Sequence, residues 1–288
     1  MPEITYCQNC KSTLSTTSLP WLLHCKTCGL KSSLLNKDRF IDEQPVGWTD
    51  SAIDFLEQLR IDNAHIILKE LSYHGSLTDK KLLDIGCAAG WFMRIAKEYG
   101  IHTIGIEPDE NIASIGRKNG HTIETMMFPD ESLFDQKVDL LSFNDVFEHI
   151  EDSIGLLDAV YHQLNDDGLL IINLPNADGV FYRIATVAAK FGYTSPLDRL
   201  WQKGYVSPHL HYFNNKNLQE LCETSNFKLL TTKRLPSIQL KGLWQRIRHN
   251  DKQNIVSSSI MYAGMCIAFP IIRWVLPSDI IFHIYKKK

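Results

Sequence analysis

The 288 residues contain no internal repeat and no low-complexity tract, and glycine and proline are sparse at 16 and 11 residues. Collagen-like and low-complexity chains are thereby excluded. The opening Met1-Pro2-Glu3 has no basic region leading into an apolar run. No secretory signal is therefore expected, and the expected location is the cytoplasm. No series of ~20-residue apolar segments marks a polytopic membrane protein. Seven cysteines do not make a disulfide scaffold here, because thiols in a reducing cytosol serve as ligands or buried apolar groups. With 44% hydrophobic and 22% charged residues, the chain has the balance of a soluble globular protein. Its length is about two domains' worth, enough for a sizeable core.

The net charge of −3 is uneven. Residues 1–50 are neutral, residues 51–235 carry 17 basic and 26 acidic side chains, and residues 236–288 carry eight basic and two acidic. A body at −9 is a poor surface for a phosphate backbone, which disfavours nucleic acid as a partner.

Cys7-x2-Cys10 and Cys25-x2-Cys28 are separated by 14 residues. Each pair forms one tight turn that aims two sulfurs at a point, and two such turns supply a tetrahedral Zn2+ site. Few apolar residues surround them beyond Trp21 and Leu22, so this module would not fold without a metal. Four protein ligands leave no open position, which makes the zinc structural. His24 adjoins Cys25 and is read as a bystander. The expected layout is a zinc ribbon at 1–35, a linker and helix at 36–79, and an α/β domain at 80–288 with an apolar insertion at 241–276.

Residues 51–71 repeat apolar side chains at helical spacing (Ile53, Leu56, Leu59, Ile66, Ile67). From residue 80, strand-like runs at 81–85, 103–107, 138–143 and 169–174 alternate with helix-like runs at 91–99, 110–118 and 152–164. This alternation predicts βαβ units and a parallel sheet. A long aromatic-rich connection follows Pro175 and ends at Phe213. A helix at 217–225, a strand at 227–232 and a closing strand at 280–285 complete the domain.

Residues 82–92, LLDIGCAAGWF, read as an apolar strand, a small-residue turn and a helix start. Such a turn presents backbone N–H groups and a helix N-terminus to a ligand. Glu107 ends the next strand, where its carboxylate can accept both hydroxyls of a ribose. A dinucleotide fold requires G-x-G-x-x-G, but Ala88 and Trp91 stand at the second and third glycine positions. Asp84 would repel a pyrophosphate and suits the ammonium group of S-adenosylmethionine. The chemistry favours the methyl donor over NAD.

LLDIGCAAGWF, IGIEPDE (104–110), VDLLSFNDVFEHI (138–150) and DGLLIINLP (167–175) resemble the class I S-adenosylmethionine-dependent methyltransferases. The resemblance covers about residues 80–235 and the last strand. E-H-I at 148–150 and PHLHYF at 208–213 are similar to the group that holds ubiquinone-type O-methyltransferases and methyltransferases of secondary and surface-glycan metabolism. It implies a doubly wound, seven-stranded, mostly parallel sheet and S-adenosylmethionine as cofactor. It assigns Asp84 to the methionine amine, Gly86 and Gly90 to the close turn, Glu107 to the ribose and Asn144 to the cofactor wall. Two positions depart from the family pattern. Ala88 stands where glycine is usual, and residues 125–129 lack the acidic side chain that holds the adenine amino group, which leaves that role to Asp130 or to the backbone.

Methyl transfer to a hydroxyl requires orientation and removal of a proton. His149 follows the strand whose end faces the cofactor, and an unperturbed imidazole with a pKa of ~6.5 is suited to that proton. The alternative is a structural His149 that caps the next helix or bonds Glu148. His209 and His211, at the end of the long connection, either bind or deprotonate the acceptor or stitch the loop to the next helix. Cys87 is read as a small turn residue, and Cys222 and Cys266 as buried fillers.

Residues 255–272 are uncharged but include three serines, Gly264 and Pro270, which weakens a bilayer span. With the basic stretch 241–248 around Trp244, they read as an interfacial element on the inner face of the membrane. The alternative is packing on the domain or against a second copy; the sequence leaves the oligomeric state open. The expected function is methyl transfer from S-adenosylmethionine to a small-molecule or lipid-linked acceptor, with oxygen as the acceptor atom. An RNA base methyltransferase that grips nucleic acid with the ribbon is disfavoured by the neutral ribbon and acidic body. A non-catalytic binding protein on the same fold would bind cofactor without turnover.

Overall fold

The computed structural model describes residues 6–35, 50–130, 137–237, 255–274 and 276–288, with the single positions 132, 244 and 247. The linker stretch with Pro45 and Gly47, and the basic stretch 241–248 except Trp244 and Ile247, lie outside the described residues.

The large sheet is built from β4 (Lys81–Ile85), β5 (His102–Ile106), β6 (Ile123–Glu124), β7 (Val138–Asn144), β8 (Leu164–Pro175), β10 (Phe227–Leu235) and β11 (Ile280–Lys287). Its spatial order is β10-β11-β8-β7-β4-β5-β6. Only β11 runs against both its neighbours; the pairs from β8 to β6 are parallel. The alternating pattern predicts the parallel α/β sheet, and the family resemblance implies its seven strands and mostly parallel order.

Parallel strands buried on both faces read as near-continuous apolar runs, and the packing shows why. On β4, β7 and β8, the residues Leu83, Leu141 and Ile172 face α4 (Ser153–Gln163) and α7 (Asn215–Thr224) through Leu157, Val160, Leu218 and Leu221. Their sequence neighbours Leu82, Leu140 and Ile171 face α1 (Asp50–Leu71) and α2 (Trp91–Glu98) through Ala64, Leu68, Phe92 and Ile95. Ile66 is partly exposed, so the inner face of α1 is carried by Ala64, Ile67, Leu68 and Leu71. A further helix, α3 (Glu110–Lys118), is capped by the Asp109 side chain, which accepts from the Asn111 and Ile112 N–H groups.

The long connection after Pro175 holds two helices that the sequence reading did not resolve, α5 (Val180–Lys190) and α6 (Ser195–Leu200). It ends in β9 (His211–Tyr212). The cysteine-bearing module supplies β1 (Ser15–Thr16), β2 (Leu22–His24) and β3 (Lys31–Ser33). These pair antiparallel, and β9 adds to β3 as the fourth strand of that sheet. Cys7, Cys25, Cys28 and Leu30 are buried in the same apolar cluster as Phe213, Leu218 and Cys222. The apolar insertion forms α8 (Ile255–Trp274), with Pro270 inside it.

The turn between β4 and α2 has three left-handed residues, Gly86 (φ 64°), Ala88 (φ 48°) and Gly90 (φ 84°). A Cβ on Gly86 would also lie 2.5 Å from Val146 Cγ2. A left-handed alanine costs about 1–2 kcal/mol, partly offset by the unfolded-chain entropy that alanine removes. Ala88→Gly is therefore expected to raise stability by about 0.5–1 kcal/mol. Gly86→Ala, strained and crowded, should lower it by about 1–3 kcal/mol. Urea unfolding of the two variants checks both signs.

Candidate active site

Strand order reverses at β4, with β5 and β6 on one side and β7 and β8 on the other. In an open α/β sheet such a reversal leaves a crevice outside the carboxyl ends of the strands, because crossover helices depart to either side of it. A cleft lies there, lined by Asp84, Gly86, Ala88 and Asn144, which the sequence singles out, and by Arg60 and Asp145, which it does not.

Asp84 is the fourth residue of β4 and only 1% exposed. Its Oδ1 accepts from Ser142 Oγ at 2.6 Å and from Asn144 Nδ2 at 3.1 Å, so Asn144 fixes the carboxyl group as well as lining the cleft. Burial pushes the Asp84 carboxyl up to about 7 despite these donors. A buried carboxylate without a counter-charge is costly, and a cation beside it would restore its ordinary ionisation. The cleft also contains Asn63 and Asn173, whose amide oxygens are buried without a hydrogen-bond partner.

Glu107 lies one residue beyond β5 rather than on it. Its Oε2 accepts from the Ala88 N–H and its Oε1 from the Asp109 N–H, both at 3.0 Å. The carboxylate thus braces the glycine turn, and each oxygen keeps lone pairs for further donors. Burial raises its pKa. Gly90 caps α2 and packs against the His121 ring.

Arg60 reaches the cleft from α1. Its guanidinium lies 5.1 Å from the Trp91 ring centre, and its Nε is 3.6 Å from Asp145 Oδ2. Within residues 51–71 nothing separates Arg60 from the other charged side chains of a solvated helix face. The only hint is Trp91, a flat ring at the start of α2.

Beyond β7, a single 3-10 turn at Phe147–His149 carries Glu148 and His149. His149 Nδ1 lies 2.9 Å from the Pro208 carbonyl oxygen. A carbonyl only accepts, so Nδ1 carries a proton, and in the neutral ring Nε2 keeps its lone pair. His209 packs edge-on against this ring, with centroids 4.7 Å apart. Glu148 Oε1 is 3.8 Å from His209 Nε2 and 4.0 Å from His149 Nε2. Burial, with the Asp145 charge nearby, pushes the Glu148 carboxyl well up, and neither of its oxygens has a hydrogen-bond partner. Burial pushes His209 well down.

His211 lies apart from this group. Gln8 Oε1 accepts from the Ser153 N–H at 2.9 Å, which turns the Gln8 amide nitrogen toward His211 Nε2 at 3.1 Å. His211 Nε2 also lies 3.3 Å from the Glu151 carbonyl oxygen, and Nδ1 lies 3.0 Å from Ser32 Oγ. Both ring nitrogens are thereby engaged with the cysteine module.

The four sulfurs of Cys7, Cys10, Cys25 and Cys28 lie within 4.8 Å of one another. Cys7 and Cys28 are 3.5 Å apart and Cys10 and Cys25 are 3.3 Å apart, close to the ~3.8 Å edge of a tetrahedron with ~2.3 Å zinc–sulfur bonds. Burial raises Cys7 to about 11 and Cys28 further, so as free thiols they stay protonated.

The family model described as a methyltransferase domain matches residues 55–232 of this chain. A ubiquinone biosynthesis O-methyltransferase of Acinetobacter baumannii is 26% identical over 125 residues, which are 41% of this chain and 53% of that protein. The chain thus spans about half the length of that curated relative. Among solved structures, Haemonchus contortus phosphoethanolamine N-methyltransferase 2 in complex with S-adenosyl-L-methionine aligns with a TM-score of 0.52 at 16% identity, over 88% of this chain and 60% of that one. Magnesium protoporphyrin IX methyltransferase of Synechocystis with bound S-adenosylhomocysteine aligns with a TM-score of 0.50 at 12% identity, over 84% and 89%. At those identities the structures are a likeness of fold. With the family model covering more than half of its length, from α1 to β10, the chain belongs to the methyltransferase-domain family.

Proposed function

We propose that this protein is an S-adenosylmethionine-dependent methyltransferase that methylates an oxygen of a small-molecule or lipid-linked acceptor. The observation that carries the reading is the buried Asp84 carboxyl at the strand-order reversal, braced by Asn144 and facing a turn closed by Glu107. These residues fit the cofactor on chemical grounds. Asp84, with the orphaned amide oxygens of Asn63 and Asn173, would hold the methionine ammonium. Glu107 would accept from the ribose hydroxyls, and Arg60, the one basic side chain in the cleft lining among the described residues, would face a carboxylate. When bound, the cofactor supplies an electrophilic methyl group. The chain's own task is to orient the acceptor and take its hydroxyl proton, which we assign to Nε2 of the neutral His149 ring, since Nδ1 faces the Pro208 carbonyl. His209 and Glu148 support it from behind. The Cys7, Cys10, Cys25 and Cys28 cluster would hold one structural zinc ion.

Glu107→Ala should weaken binding of S-adenosylmethionine by ~1–3 kcal/mol, read by calorimetry; unchanged affinity would overturn the assignment. The raised Asp84 pKa sets a pH dependence. Its folded value lies above the unfolded one, so the folded protein without cofactor retains the Asp84 proton between about pH 4 and 7, and the stability it gains from that proton is lost as pH rises through about 7. Binding an ammonium group requires the carboxylate and so expels that proton. Affinity should therefore rise with pH, by up to about tenfold per unit, and level off near 7. Titration in two buffers of different ionisation enthalpy measures the released proton.

His149→Ala should slow turnover ~100-fold or more while leaving cofactor affinity near wild type. Turnover that survives, with only the melting temperature lowered, would make His149 structural.

For a lipid-linked acceptor, the supporting observation is exposed apolar surface. Ile255, Val256, Ile260, Met261 and Ile267 on α8 are exposed, as are Ile184 and Val187 on α5 and Phe191 just beyond it. Among the described residues no helix is long and apolar enough to cross a membrane. The expected behaviour is adsorption through these side chains. Flotation with anionic vesicles should carry the protein up and persist in moderate salt, and it should be lost when the α8 positions are made polar. Protein that stays in the soluble fraction at low salt would point to a water-soluble acceptor.

A further inference from the structure

The function above uses the cysteine module only as a metal-held appendage, yet its backbone is joined to the histidine cluster. On β3, Ser33 donates its N–H to Leu210 O and its hydroxyl to His209 O, both at 2.8 Å. On the other side of the same segment, the Leu210 N–H donates to Glu148 O at 2.9 Å. Residues 209–212 are therefore clamped between the module and the turn that carries Glu148 and His149. Register is set by Lys31 opposite Tyr212 and Ser32 opposite His211.

A second clamp comes from the cysteine turn itself. Gln8 lies between Cys7 and Cys10, and its side chain reaches both the Ser153 N–H at the start of α4 and His211 Nε2. Ser32 takes the other nitrogen of the same ring. Next to Gln8, Asn9 donates to Asn217 O at 3.0 Å. Strands of two or three residues are marginal without other support.

We infer that the cysteine module is a positioning element for the acceptor side of the site: closure of its metal site fixes residues 209–212, and with them the His209 ring against His149 and Glu148. Gln8 is the positioning residue that couples the two. The hydrogen bonds of the cofactor side come from elsewhere: Asp84 accepts from Ser142 and Asn144, and Glu107 from the Ala88 and Asp109 N–H groups. The inference rests on the zinc reading above for the identity of the ion, and on the strand pairing for the coupling.

The test compares the intact protein, the protein stripped of metal with a chelator, Gln8→Ala and Gln8→Glu. Three quantities are read on each: zinc content, calorimetric affinity for S-adenosylhomocysteine, and the rate at which diethyl pyrocarbonate modifies each histidine, mapped by mass spectrometry. In the intact protein His209 and His211 should be protected. Stripping should speed their modification about tenfold or more, as for a segment released by local opening, while S-adenosylhomocysteine affinity stays within about threefold. Gln8→Ala should keep its zinc and its S-adenosylhomocysteine affinity yet lose part of the protection. Gln8→Glu should restore it, because one carboxylate oxygen still accepts from Ser153 and the other from a His211 ring N–H. Protection of His209 that is unchanged in Gln8→Ala and on stripping would overturn the inference. Loss of cofactor-side affinity in step with protection would also overturn it, since the module would then be a general stabiliser. If the purified protein holds no zinc, or S-adenosylhomocysteine does not bind, the corresponding part of the proposed function fails. The Gln8 arm then still decides the coupling through histidine protection.

Discussion

The reversal of strand order at β4 is the constraint on which the rest of the structure depends. Crossover helices leave β4 and β7 toward opposite edges, so neither crossover helix covers the carboxyl ends of these strands. Side chains there must either face solvent or face a ligand. The chain places Asp84 and Asn144 at that opening, with Glu107 just beyond β5, and lays Arg60 of α1 across it. The left-handed turn at Gly86, Ala88 and Gly90 follows from the same constraint. The chain must turn from strand to helix within five residues without filling the crevice.

That opening is acidic and poorly solvated. Asp84, Glu107 and Glu148 are all buried, and burial raises all three. In the cleft lining the compensating cation is Arg60, which is already engaged with Asp145 and Trp91. A site with surplus buried carboxyl groups favours a ligand that brings positive charge. An ammonium and a sulfonium on one molecule meet that requirement, whereas a pyrophosphate would add to the surplus. The electrostatics thus select the same class of cofactor as the missing glycines at 88 and 91, by an independent route.

How much could be read from the sequence follows from the range of the interactions involved. Strands with apolar residues on both faces and helices between them announce a parallel sheet, since period and composition are local signals. Asp84 and Glu107 were legible because strand ends and turns fix where such side chains fall. Arg60 was not, because its partner Trp91 is 31 residues away and helix periodicity places it on a solvated face. Helices α5 and α6 were hidden in an aromatic-rich stretch whose packing, Tyr182 on Tyr212 and Trp201 on Tyr212, is tertiary. The three candidate histidines could not be ranked by spacing. Their separation into a facing pair, His149 and His209, and a bridging His211 depends on Gln8 and Ser32, over 100 residues distant from them.

The same long-range contacts change what the cysteine module is. Its strands are two or three residues long, and its own apolar content is too small for a core. Closing four thiols around an ion would supply part of the missing free energy. The rest comes from β9 as a fourth strand and from burial of Cys7, Cys25, Cys28 and Leu30 against Phe213 and Leu218. The dependence runs both ways: without β3, residues 209–212 lose the bonds that hold them beside Glu148. Ribbon and histidine segment therefore complete one small sheet, while the hydrogen bonds on Asp84 and Glu107 come from β7, the glycine turn and the start of α3.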